Sequence, residues 1–266
     1  MKGQKNLQSR IEQLIENGTF PRFSIFVGPK GSGKKTLLLE MFEGIYLEDN
    51  KVESVRKMIE MVYRIGNRTF IMPDADTMSN AAKNALLKVI EECPNDNYFI
   101  MTLEDENNTF ETIRSRGTVF HMDRYTPDEI EEYLTQKYGV LDNRELSIVR
   151  DICETPGDVD ILTDEGIIAF YDYVQLVVDN IAEVSLANAF KIPSKVALKE
   201  DAEGYDLRLF WKAFMKVCLQ DDVVYGIKAE AVQITSKYLQ KLKVKGINRQ
   251  MLIDCWLMEI RELWID

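Results

Sequence analysis

Cysteine and histidine are scarce in this chain: its 266 residues hold four cysteines and one histidine. Cys93, Cys153, Cys218 and Cys255 lie far apart, with no C-x-x-C pair to seed a zinc site, so no zinc and a reducing compartment are expected. Long apolar runs are lacking as well. None reaches the roughly 18 residues that a membrane-spanning helix needs. No basic-then-apolar leader opens the chain, so a cytoplasmic protein with no membrane partner is expected. A surplus of positive charge is also missing, since 33 Lys and Arg face 44 Asp and Glu, for a net charge of −11. That balance argues against a protein whose whole surface grips nucleic acid. A local basic patch stays open, because the field at a site is set by its neighbours. The chain does have apolar content: 45% hydrophobic against 29% charged residues is enough for a buried core and unlike a disordered polyelectrolyte.

The order of patterns along the chain gives the fold class. SRIEQLIENG carries apolar residues at helical spacing (Ile11, Leu14, Ile15). FSIFV, Phe23 to Val27, is continuously apolar, as a strand buried on both faces would be. It runs straight into the glycine loop GPKGSGKKTL, and KKTLLLEMFEGI then reads as a helix. Further strands are expected at GIYLE (44–48), RTFIM (68–72), NYFIMTL (97–103) and GTVFHM (117–122). Helices are expected between them, at VESVRKMIEMVYRIG and at SNAAKNALLKVIEE, the second ended by Pro94. Five strands alternating with helices predict an α/β domain with a parallel sheet. A boundary follows at TPDEIEEYL, where Thr126, Pro127 and Glu129 form a capping-box signature. Beyond it only helices are expected, near 127–138, 143–153, 157–163, 165–185, 206–219, 221–242 and 247–264. Lys191 to Asp206 has the composition of a connector. The predicted layout is an α/β domain over 1–123, a small helical lid over 124–164 and a larger all-helical module over 165–266.

Strand, glycine loop and helix form the setting of a phosphate-binding loop. Gly28, Gly31 and Gly33 let backbone N–H groups turn around an anion, the helix start adds its dipole, and Lys34 adds a charge. Ser32 belongs to the same loop. The position after the lysine normally carries a hydroxyl that touches magnesium, and here it is Lys35. Thr36 is one step further, about 100° around the helix, and is poorly placed to substitute. Phosphate binding is therefore expected, with the first magnesium contact compromised. The simpler alternative is a tight glycine turn with an adventitious lysine.

MPDADTMSNAAKNALLKVIEECP resembles the segment of clamp-loader AAA+ proteins that runs from the Walker B box into the next helix, with Asn84 to Glu92 matching the core of that pattern. TIRSRG (Thr112 to Gly117) is similar to their SRC motif, Gly3–Gln4 to their usual opening, and NRQMLIDCWLMEIREL to their last collar helix. The resemblance spans essentially the whole chain and is nearest the delta-prime type of bacterial DNA polymerase III, cellular or phage-encoded. It implies an AAA+ domain, a lid and a collar that assembles subunits into a ring. ATP or ADP is the implied nucleotide. The implied partners are the other ring subunits, a sliding clamp and primer–template DNA.

Carried onto this sequence, the resemblance also implies a weakened ATPase. Pro73 occupies the magnesium-binding Asp position and offers no side-chain donor. Asp74 stands at the catalytic Glu position with a shorter reach, and Ala75–Asp76 match the remainder. Thr102 takes the sensor 1 place and keeps a hydroxyl. In GDVDILTD, Asp160 replaces the sensor 2 arginine and puts a negative charge where a γ-phosphate would need a positive one. Lys35, Pro73 and Asp160 thus point the same way, toward a chain that does not hydrolyse ATP in its own site. Arg116 matches the arginine that reaches a neighbour's ATP in the family. Such a finger contributes several orders of magnitude to phosphoryl transfer. The alternative is that Arg114 and Arg116 are plain surface residues.

Other residues carry less. His121 is expected to be packed or hydrogen-bonded in the last strand. Arg56, Lys57, Arg64 and Arg68 suit either a DNA backbone or a solvated face. Trp211, Trp256 and Trp264 suit helix packing. Two further functional readings stay open: an active ATPase in which Asp74 and Asp76 recruit the metal, and a DNA-binding adaptor on the same scaffold.

Overall fold

The structure is a computed structural model, and it describes residues 3–181, 196, 204–220, 225–242, 244 and 246–265. The chain divides into two compact units: residues up to Glu129 with Thr155–Gly157, and Ile130–Glu154 with the described residues from Asp158 onward.

The first unit is built on a sheet of five strands, β1 (Phe23–Val27), β2 (Gly44–Tyr46), β3 (Thr69–Met72), β4 (Tyr98–Leu103) and β5 (Thr118–His121). All pairings are parallel and the order is β2-β3-β4-β1-β5. The helices are α1 (Lys5–Glu16), α2 (Lys34–Met41), α3 (Val52–Arg64), α4 (Asn80–Glu92) and the short α5 (Glu111–Arg114). Every residue of β1 is buried, which explains its unbroken apolar run: side chains alternate between two covered faces. Phe23, Ile25 and Val27 meet Val55, Met58 and Val62 of α3 and Leu86, Val89 and Ile90 of α4. Phe26, Ile71 and Ile100 on the opposite face meet Leu7 and Ile11 of α1 and Leu37 and Leu38 of α2. Each such side chain contributes about 1.5–3 kcal/mol on burial. The arrangement is a three-layer α/β sandwich, as expected from the sequence.

Boundaries match closely, with one correction. The helix after the glycine loop stops at Met41, short of the expected Ile45, and Phe42 turns extended (φ −131°, ψ 129°). Phe42 packs on Phe20 with ring centroids 5.2 Å apart, and Gly44 already pairs with Thr69 as the start of β2. Tertiary packing ends this helix, a cause that its apolar pattern does not reveal.

The second unit is helical. It takes in most of α6 (Pro127–Tyr138) and α8 (Pro156–Glu165), together with α7 (Asn143–Ile152), α9 (Ile167–Asn180), α10 (Leu207–Gln220), α11 (Tyr225–Lys241) and α12 (Arg249–Ile265). Trp211 and Trp256 are fully buried there. Phe214 meets Trp256 edge-on at 4.9 Å, and the Trp256 indole donates to Thr235 Oγ1 at 3.0 Å. Trp264 lies outside the described side chains. Asp158 is completely buried between Arg208 (2.6 Å) and Lys212 (3.4 Å). Burial opposes its ionisation, but the two cations outweigh that and hold its pKa below the usual carboxylate range. The expected Lys191–Asp206 connector falls mostly outside the described residues, as do parts of the helices expected over 165–185 and 221–242. No helix among the described residues is long and apolar enough to cross a membrane.

Candidate functional site

In a parallel sheet the loops leaving the C-terminal strand ends collect on one edge, and ligands bind there. Gly28 follows β1, Asp74 follows β3 and Glu104 follows β4, so the topology gathers three separately read segments. The loop is anchored at once, because Gly28 N–H donates to Leu103 O at 3.1 Å. Gly31 (φ 78°) and Gly33 (φ 84°) take left-handed backbone that L side chains disfavour.

Lys34 is buried, and its ammonium donates to Gly28 O at 2.7 Å and Pro29 O at 3.0 Å. Burial lowers its pKa, while the nearby charges of Glu104, Asp74 and Asp76 act the other way. Glu104 shifts upward, first through burial and then through repulsion from Asp76. Lysine and carboxylates thus share one electrostatic environment. Lys35 and Thr36 are exposed on the first turn of α2. Among the described residues, the N–H groups of Gly31, Gly33, Lys34 and Lys35 meet no protein acceptor, which is the state of a helix start ready for an anion. Ser32 is 1% exposed, and its hydroxyl is buried without a partner.

The strand β3 exit is rigid. Asp74 adopts a left-handed backbone at φ 50°, and its N–H donates to Thr102 Oγ1 at 2.8 Å. The Thr102 hydroxyl is therefore already accepting a bond from this backbone. Asn50 Nδ2 donates to Pro73 O, Asp74 O and Thr77 Oγ1 at 3.1, 2.9 and 2.6 Å. Asp76 takes the Glu104 N–H on Oδ2 at 3.2 Å, and its Oδ1 is buried without a partner. Asn50 gave no sequence signal, since a lone Asn in a loop is usually only a turn residue.

Arg116 is not part of this edge. It sits two residues ahead of Thr118, which pairs with Ser24 at the start of β1, so it lies at the opposite end of the strands. The separation from the chain's own loop along the strands is roughly 20 Å at ~3.3 Å per residue. Its exposed guanidinium donates to Thr112 O at 2.6 Å and meets Glu91 at 3.4 Å. Asp160 in the second unit has its carboxylate occupied. Tyr133 and Tyr138 hydroxyls each donate to it at 2.9 Å, and Lys137 lies 2.8 Å away. His121 is exposed at the end of β5, which corrects the packed alternative of the packed-or-hydrogen-bonded setting expected for it. Arg56, Lys57, Arg64 and Arg68 are all exposed.

Gly3 and Gln4 have a clear structural use. The buried Gln4 amide donates to Asp123 O at 2.9 Å and accepts from Asp123 N–H at 2.8 Å. A side chain on Gly3 would collide with the Tyr125 ring.

A family model described as DNA polymerase III, delta subunit, matches residues 48–126. Replication factor C subunit 3 of Schizosaccharomyces pombe is 28% identical over 147 residues, covering 48% of this chain and 43% of that protein. Replication factor C small subunit 2 of Pyrobaculum islandicum is 24% identical over 170 residues, covering 57% and 52%. The chain thus spans about half or less of the length of these curated relatives. Among solved structures, the RuvB Holliday junction branch migration motor of Thermotoga maritima shares the fold with a TM-score of 0.51. It is 16% identical, with 99% of this chain and 87% of that one covered. Matched segment, relatives and sheet topology together support an AAA+ subunit of the clamp-loader kind.

Proposed function

We propose that the chain is a delta-prime-type clamp-loader subunit that does not hydrolyse ATP in its own site and lends Arg116 to a neighbouring ATPase. Its partners would be the other subunits of a ring, a sliding clamp and primer–template DNA, and its setting the cytoplasm. Its working parts would be the AAA+ domain, the lid and the collar over the boundaries read from the sequence. The observation that carries the reading is the separation of Arg116 from the chain's own phosphate loop. An exposed guanidinium at the far end of the strands has no use for the nucleotide of its own subunit, whereas a neighbour's nucleotide is a fitting target. The loop itself offers open amides for the phosphates of ATP or ADP. Pro73 contributes only a carbonyl, already bonded to Asn50, so the usual second carboxylate contact to magnesium is lacking. In the assembled complex, Arg116→Ala should lower clamp- and DNA-stimulated ATP turnover at least tenfold without dissociating the subunits. Unchanged turnover would remove the finger role.

A second reading rests on Asp76, whose buried Oδ1 has no partner and would suit a cation. It requires steady-state ATP turnover by the isolated chain, abolished by Lys34→Ala. Absence of turnover in the parent chain at saturating magnesium ATP would dismiss it.

A further inference from the structure

The backbone carbonyls of the phosphate loop, Gly28 through Ser32, each accept a hydrogen bond, and those of Lys30, Gly31 and Ser32 are held from outside the loop. Lys34 takes those of Gly28 and Pro29. Thr155 Oγ1 donates to Lys30 O at 3.4 Å, Gly157 N–H donates to Gly31 O at 3.1 Å, and Tyr125 Oη donates to Ser32 O at 3.0 Å. A peptide plane whose carbonyl is fixed outward has its N–H fixed in the opposite sense. Donors pinning Lys30 O, Gly31 O and Ser32 O therefore orient the N–H groups of Gly31, Ser32 and Gly33. Ser32 N–H spans back to Pro29 O at 3.2 Å, whereas Gly31 and Gly33 keep theirs open. The buried, unpartnered Ser32 hydroxyl is an independent sign of a ligand at this place.

The contact at Gly157 requires two glycines facing each other. A Cβ on Gly157 would stand 2.5 Å from Gly31 Cα, and one on Gly31 would stand 2.8 Å from Gly157 Cα. Neither clash is with a flexible side-chain end, so backbone would have to move. Tyr125 is fixed in turn, because its ring fills the space beside Gly3 and the chain next to it is tied by Gln4 to Asp123.

We infer that Tyr125, Thr155 and Gly157 are positioning residues of the phosphate site, fixing the loop carbonyls outward so that its amides are preorganised for an anionic ligand such as a nucleoside diphosphate. The inference rests on the nucleotide-binding part of the reading above. None of the three touches the phosphate. They set the direction of groups that do, and preorganised donors lose less on binding than donors that must first be ordered.

The test uses the full chain and two readouts: ADP titration by calorimetry with and without magnesium, and hydrogen exchange of the peptide spanning residues 28–36. Tyr125→Phe and Thr155→Val each remove one hydroxyl donor and should weaken ADP about three- to tenfold, the usual worth of one hydrogen bond. Both should speed exchange at the loop more than elsewhere in the chain. Thr155→Ser should restore both readouts, and Gly157→Ala should weaken ADP more than either hydroxyl deletion. Parent-like affinity and exchange in Tyr125→Phe and Thr155→Val would overturn the inference. If the parent chain binds no ADP, the nucleotide reading falls, and exchange alone decides: faster loop exchange in the variants upholds the pinning, and unchanged exchange overturns it.

Discussion

Asp74 holds a left-handed backbone at φ 50°, which costs an L residue on the order of 1 kcal/mol. The bond from its N–H to the 2% exposed Thr102 hydroxyl helps to hold it there. Thr102→Val keeps the shape and removes the acceptor. It should cost about 1–2 kcal/mol of stability, read from a urea midpoint; a loss below a few tenths would show that water takes over the bond. Thr126 caps α6 by accepting from Glu129 N–H at 3.3 Å, while the Glu129 carboxylate accepts from Thr126 N–H at 2.8 Å. Thr126→Ala should cost about 1 kcal/mol, and a melting temperature within error of the parent would contradict that. This cap was legible in the sequence because its two partners sit three residues apart. Thr155 and Lys30 are 125 residues apart, and Gly157 meets Gly31 through backbone alone. Such a contact leaves no pattern of side-chain types, so half of the loop's support was hidden until the fold was in hand.

Among elements, β1, β3 and β4 were readable because burial on both faces writes an unbroken apolar run, and the glycine loop marks which strand carries the candidate site. Helix ends were less readable where packing decides them, as at Met41. The joint between α8 and α10 carries a different consequence. Glu165, at the end of α8, accepts from Asp206 N–H at 2.7 Å, and its other carboxylate oxygen is buried without a partner. Burial first, then the nearby Asp206 and Asp164, raises its pKa from the ordinary 4.5 to about 7. The folded state thus binds this proton more tightly than the unfolded chain does. Stability should therefore decline as pH rises from about 4.5 to about 7, because ionisation is disfavoured only in the folded form. Glu165→Gln keeps the acceptor for Asp206 N–H and removes the titration. Its melting temperature should be flatter than the parent's across that window; identical profiles would show that Glu165 is not the group responsible.

For the molecule as a whole, the proposed ring assembly is the level at which Arg116 would acquire a role. Among the described residues the guanidinium is held by Thr112 O and an exposed Glu91, contacts that a neighbour's phosphates could outcompete. Arg116→Lys should recover little of the turnover lost in Arg116→Ala, since an ammonium cannot reproduce the planar fork. Recovery to the parent rate in the assembled complex would mean that only charge matters there. The strand order also bears on how the chain is made. Among the described residues, FSIFV at β1 pairs with β4 and β5, whose residues begin at Tyr98 and Thr118. At about 5–20 residues per second on the ribosome, this strand, buried along its whole length, waits roughly 4–15 s for its first neighbour. Through that interval its five residues are a nascent-chain liability, and synthesis rate and chaperone supply should govern the soluble yield more than the stability of the finished fold.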